Sequence, residues 1–249
     1  MKQDTPPLTV VLVHGAWADG SSWRKVIAAL HQHGIAVTAA PIPLTSLTDD
    51  VTAVDRAVDR VGGPVVLVGH AYAGAVIGAS SHSQVKALVY IAALAPDKDE
   101  TVADVFYRAS PDPAAPQLAP DPDGYIWLPT EAFAAAFAQH ASTEDHTVLA
   151  AVQRPISVTC IQQPVPVPRW KELPAWYLLA DEDRMINPAT QAFMADRMGA
   201  QVRTHRVDHA PLVTQPDTVV GIISEAVECI RMSEHAESQS RWIPEHTGQ

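Results

Sequence analysis

Histidine and carboxylate side chains gather in four short segments of this chain: His14–Trp23 (HGAWADGSSW), Val68–Gly74 (VGHAYAG), Ala180–Pro188 (ADEDRMINP) and Val207–Pro216 (VDHAPLVTQP). Histidine beside carboxylate is the material of acid–base chemistry, because imidazole exchanges a proton near neutral pH. Metal chemistry fits less well. No cluster has zinc-ligand spacing, and His31 and His33, two apart at a helix end, do not share a face. Cys160 has no histidine near it in the sequence and reads as a buried thiol, not a nucleophile. No metal and no cofactor is implied.

Each segment must be held by an element, and the elements alternate. Leu8–Val13 is an apolar, β-branched run of the kind buried on both faces of a sheet. Ser21 and Ser22 offer N-cap oxygens to a helix carrying Trp23, Val26, Ile27 and Leu30, and Gly34 closes it. Ile35–Ala40 is a strand; Val51, Val54, Val58 and Val61 mark the buried stripe of the next helix, with Asp49 and Asp50 near its positive end. Pro64–Val68 is a strand, Ala73–Ser81 a small-residue helix and Val85–Leu94 another strand. The period is lost between 97 and 173, a proline-rich and aromatic stretch in which Ala132–His140 reads as a short helix. It returns with a strand at Ala175–Ala180, a helix capped by Asn187 with Pro188 first and Gly199 past its end, a strand at Val202–Val207 and a helix at Pro216–Arg231. From Ser233 onward the chain is polar and expected to fray.

This order predicts an α/β fold: a mostly parallel sheet with helices on both faces and a small inserted cap. A single domain is expected, with core 8–96 and 174–231, cap about 97–173 and polar tail 232–249. In such sheets ligands bind outside the carboxyl ends of the strands, where the four segments fall. Composition narrows the partners. A formal charge of -11 repels phosphate backbones, so nucleic acid is not expected. No apolar run reaches the roughly 18 residues of a membrane span, and MKQDTPP lacks the apolar stretch of a signal peptide. Two cysteines, Cys160 and Cys229, are too few for a disulfide scaffold, so a cytoplasmic location is expected. Oligomeric state is not readable.

With all four segments in this order, each after its own strand, the chain resembles the α/β-hydrolase superfamily, nearest its small-cap branch of plant methylesterases, hydroxynitrile lyases and bacterial esterase-like proteins. The likeness reaches to about Ile230. It implies a sharp turn, G-x-S-x-G, that lifts a serine above the sheet, with Gly69 and Ala73 at the small positions. It also implies an acid next and a histidine last, matched by Asp183 and His209, with Asp181 and Glu182 as rivals for the acid and the spacing to Pro188 favouring Asp183. The implied oxyanion hole is the backbone N–H of Ala16 and of Tyr72, which any side chain but proline preserves. Trp17 and Tyr72 are candidates for substrate contact, whereas Trp23 reads as core. His14 and His70 read as structural, and His140 and His146 as either substrate contacts or solvated groups. Asp208 is set aside because it points elsewhere than its neighbour His209. Pro164–Pro168 reads as a stiff return to the core.

The nucleophile position is Ala71, and a methyl group cannot attack a carbonyl; Ser80 and Ser81 lie too far along the helix to replace it. Ala71 is either a Ser→Ala substitution made to trap a ligand or a natural residue with different chemistry. Three functions follow. The first is an esterase- or lactonase-type hydrolase of a small apolar carbonyl substrate, in which His209 activates water. The second is a serine-independent lyase, isomerase or cofactor-free oxygenase with His209 as base. The third is a non-catalytic small-molecule binder. Ala210 stands where hydroxynitrile lyases carry lysine, which argues against cyanohydrin cleavage.

Overall fold

The computed structural model describes residues 6–240. Through the first half the chain runs β1 (Thr9–Val13), α1 (Arg24–Gln32), β2 (Ala36–Ala40), α2 (Leu47–Val61), β3 (Val65–His70), α3 (Ala73–Ala79) and β4 (Val85–Ile91). An insertion follows, with α4 (Val102–Phe106), β5 (Tyr125–Ile126), α5 (Thr130–Ala132), α6 (Thr143–Val152), β6 (Ile156–Ser157) and α7 (Val158–Gln162). The core resumes with β7 (Ala175–Ala180), α8 (Pro188–Arg197), β8 (Gln201–His205), α9 (Pro211–Thr214) and α10 (Pro216–Ser240).

Six strands form a parallel sheet in the order β2-β1-β3-β4-β7-β8. The chain leaves β1 toward one edge and returns at β3 on the other side, so the loops after β1 and β3 open a crevice between them. β1, β3 and β7 are buried along their whole length, which explains why they read as unbroken apolar runs. β8 is the exception. It is exposed at every residue, lies at the sheet edge and ends two residues before the expected Val207, which has already turned inward.

Local chemistry fixes the helix ends. Ser46 accepts from Asp49 N–H to start α2, and Gly62 ends it at φ 68°. Asn187 caps α8 through Ala189 N–H with Pro188 in its first turn. At α1 the cap differs from expectation. Asp19, not Ser21 or Ser22, accepts from Ser21 N–H, and a 3-10 turn at Gly20–Trp23 precedes the helix. The expected helix at 132–140 is one short turn, α5, running into a π turn at Phe133–Phe137. α10 continues past Arg231 to Ser240, so the expected fraying from Ser233 is not seen there; 241–249 lies outside the described residues.

Candidate active site

The turn after β3 is the sharpest feature of the site. Ala71 sits at φ 52°, in the left-handed region where a side chain costs about 1 kcal/mol or more. Backbone bonds hold it there: Ala71 N–H donates to Ile91 C=O (3.3 Å), and Ala71 C=O accepts from Leu94 N–H (2.9 Å) and Gly74 N–H (3.1 Å). The turn is too tight for larger neighbours. A Cβ on Gly69 would lie 2.7 Å from Ala73 O, and one on Gly15 would lie 2.9 Å from both Ala71 Cβ and His70 O. β1 and β3 therefore deliver their loops into contact. Among the described residues, the N–H groups of Ala16 and Tyr72 have no hydrogen-bond acceptor, although both residues are buried.

His209 enters from the loop before α9. Its Nδ1 lies 2.8 Å from Asp183 Oδ2, with both side chains buried. A carboxylate only accepts, so Nδ1 carries a proton, and in the neutral ring Nε2 keeps its lone pair. Asp183 is itself held. Its Oδ1 accepts from Met185 N–H (2.7 Å) and Ile186 N–H (2.9 Å), and its Oδ2 also accepts from Gln191 Nε2 (2.8 Å). Of the three acids in the segment, Asp183 alone reaches His209; Asp181 is exposed, and Glu182 binds Arg206 at 2.8 Å.

The imidazole of His209 is packed on two sides. The ring of Phe137, from the π turn, lies 5.1 Å from it, and the ring of His70 lies 4.9 Å from it. His70 Nε2 donates to His209 C=O at 2.7 Å, which ties the end of β3 to the His209 loop. Burial, followed by the adjoining His209 imidazole, pushes the His70 imidazole down to about 3. Burial also lowers His14, whose Nδ1 donates to Gly15 C=O at 2.9 Å.

His209 and the turn around Ala71 border a cleft of about 590 Å³, part of it open to solvent. Ala16, Trp17, Ala71, Tyr72 and His209 line it from the core, and Val102, Phe106, Tyr107, Leu118, Ile126, Ile156 and Ile161 line it from the insertion. Its polar heads are mostly occupied. Trp17 Nε1 donates to Ile126 C=O (2.9 Å), and Tyr72 Oη donates to Asp50 Oδ2 (2.7 Å). Among the described residues, no lysine, arginine or carboxylate lines the cleft, and no group of three potential metal ligands occurs.

Residues 10–222 match the model of the Alpha/beta hydrolase family. The chain belongs to that family. It is similar to the Alpha/beta hydrolase nvfD of Aspergillus novofumigatus, with 26% identity over 87% of this chain and 95% of that protein. Among solved structures it resembles polyneuridine aldehyde esterase (TM-score 0.76, 19% identity, 90% of this chain and 99% of the other). It also resembles a pyrethroid hydrolase from Sphingobium faniae JZ-2 (TM-score 0.74, 20% identity, 89% of this chain and 98% of the other). At such identities the structural likeness is one of fold, and the parallel sheet with its flanking helices is the α/β-hydrolase fold.

The remaining sequence candidates fall outside the cleft. His140 lies between Glu182 (3.4 Å) and Asp208 (3.9 Å), and His146 Nε2 donates to Ala138 C=O (2.8 Å). Trp23 is fully buried in the core. Asp208 is also fully buried, and it accepts from His140 N–H (3.0 Å) and Thr214 Oγ1 (2.7 Å) without touching the His209 ring. Sequence reading missed Phe137, Gln191 and Asp50. Gln191 lies one turn into a helix whose start was legible. Nothing local marks Phe137 or Asp50, because their partners lie far away in the chain. Among the described residues, no helix is long and apolar enough to cross a membrane.

Proposed function

We propose that this α/β-hydrolase-family protein is a serine-independent enzyme of the esterase or lactonase type, acting on a small, neutral, apolar carbonyl compound. The observation that carries the reading is the placement of His209. Its Nδ1 is held by Asp183, and its ring lines a cleft whose floor is the methyl of Ala71 between two backbone N–H groups without acceptors. The substrate carbonyl oxygen would accept from Ala16 N–H and Tyr72 N–H, which stabilise the negative charge that grows on it during attack. His209 Nε2 would take the proton of a water where a serine hydroxyl would otherwise sit. Asp183 would offset the imidazolium that results. Base and oxyanion donors each contribute about 10²-fold or more, so the site keeps real catalytic capacity without a nucleophile. The insertion serves as a cap, and its apolar lining excludes charged substrates.

The test is a paired assay of this protein and its Ala71→Ser variant on short p-nitrophenyl esters. The serine variant is expected to turn over at least about 10²-fold faster and to show an acyl-enzyme burst. Two inert, folded proteins would remove the ester reading.

One observation favours a second reading. Of the polar heads in the cleft, Trp17 and Tyr72 are already engaged, so a water at His209 would have few partners to hold it. A substrate C–H or O–H could meet Nε2 directly, with the resulting enolate or alkoxide in the oxyanion hole. Deuterium uptake from solvent into recovered carbonyl ligands would support this proton-transfer reading.

A further inference from the structure

We propose that Asp50 is a positioning residue of this site: its buried carboxylate anchors the Tyr72 side chain and, through it, aims the Tyr72 backbone N–H at the carbonyl oxygen of the substrate. The inference deepens the reading above and rests on it. Asp50 lies in the first turn of α2 and is fully buried. A carboxyl group is costly to take out of water unless donors surround it. Three donors do so, each from a different stretch of chain. Leu44 N–H reaches Oδ1 at 2.7 Å, while Tyr72 Oη (2.7 Å) and Cys160 Sγ (3.6 Å) converge on Oδ2.

Two of these stretches border the cleft, and the third is bonded to a segment that does. Tyr72 follows the strained Ala71 and lines the cleft itself. Cys160 precedes Ile161, which lines it from α7. Leu44, at φ 62°, accepts from Ser157 N–H (3.0 Å) with its C=O, and Ser157 follows the lining residue Ile156. Asp50 is thus the point where the turn, the β2–α2 loop and the insertion are tied together.

Tyr72 is the member with a chemical consequence. Its backbone begins α3, and no side chain caps that helix start. The hydroxyl-to-Asp50 bond is the side-chain anchor that Tyr72 adds to the backbone bonds Ala71 makes with Ile91 and Leu94. Burial and the adjoining acid push the Tyr72 phenol up, so it stays a protonated donor. Burial also raises Asp50 and takes the Cys160 thiol up to about 12, which leaves Cys160 an inert donor. Releasing the anchor leaves the ring in place but loosens the donor, which should cost transition-state stabilisation and spare ground-state binding.

The experiment has two arms, using Tyr72→Phe, Asp50→Asn and the double variant. In the first arm, backbone ¹⁵N relaxation is measured in the otherwise unaltered chain. The Tyr72 amide order parameter should fall from the rigid range near 0.85 toward about 0.6 in both single variants. In the second arm, the same changes are placed on Ala71→Ser and assayed with p-nitrophenyl acetate. Each single change should lower kcat about tenfold and leave KM within about twofold, and the double variant should be no worse than either single one. A Tyr72 amide as rigid in the variants as in the parent overturns the proposal. So do additive kcat losses, or a rise in KM at constant kcat. If Ala71→Ser is inert on esters, the ester reading fails by itself, and the relaxation arm still decides the role of Asp50. If Asp50→Asn does not fold, Tyr72→Phe carries both arms, because it leaves Asp50 bonded to Leu44 and Cys160.

Discussion

The turn around Ala71 and the loops around Asp183 and His209 face each other across one cleft, but they carry chemistry of different kinds. The loop side holds a hydrogen-bonded pair of side chains, with the acid fixed by three further donors from Met185, Ile186 and Gln191. The turn side holds no reactive side chain. Its backbone nonetheless keeps φ 52° at Ala71 and the three backbone bonds that enforce it. In the proposed reaction the strained turn serves to aim N–H groups. The comparison then separates what the proposed site needs from side chains, a base and its orienter, from what it takes from the main chain.

The sharpest way to break the comparison is on the loop side. In the Ala71→Ser background, Asp183→Asn should lower ester turnover by about 10³–10⁴-fold, because an amide at this position favours the wrong imidazole tautomer. A loss below tenfold would mean that Phe137 and His70 orient the imidazole without the carboxylate. A smaller effect is expected where the two sides meet. Gly15→Ala places a methyl 2.9 Å from Ala71 Cβ and from His70 O, and the latter is backbone that cannot step aside cheaply. It should destabilise the protein by about 2–3 kcal/mol and lower Tm by about 5–10 °C, measurable by urea and thermal unfolding.

A further effect concerns pH. His70 joins the two sides, and its imidazole is held down at about 3 by burial. The folded state keeps it neutral, whereas the unfolded chain protonates it below the ordinary value of 6.5. Stability is therefore full above about pH 6.5 and is lost as pH falls from there toward 3, at up to about 1.4 kcal/mol per pH unit from this group. His14 is shifted in the same direction. Urea unfolding at pH 4.5 to 7.5 should show a shallower acid slope in His70→Gln than in the parent. Equal slopes would mean that other groups carry the acid sensitivity.

Much of this molecule was legible before folding. Strands β1, β3 and β7 announce themselves as apolar runs because both their faces are buried, and the early turns of α2 and α8 were marked by Asp49 and Asp50 and by Asn187 and Pro188. β8 was placed less well, since an exposed edge strand has little periodicity to read. The alanine at position 71 was visible at once, and the family resemblance is what marked it as the place of a nucleophile.

The sequence alone thus determined the order of the main strands and helices outside the insertion, the four segments at the strand ends and the absence of a hydroxyl at position 71. Those features depend on propensity, period and turn chemistry, all of which act over a few residues. The tertiary structure alone decided that Phe137 packs on the imidazole and that Asp50 gathers Leu44, Tyr72 and Cys160. Such contacts join groups as far apart as 109 residues for Trp17 and Ile126, and 110 for Asp50 and Cys160. They exist because burying a polar group demands a partner, and the packed sheet with its insertion determines which partners are in reach.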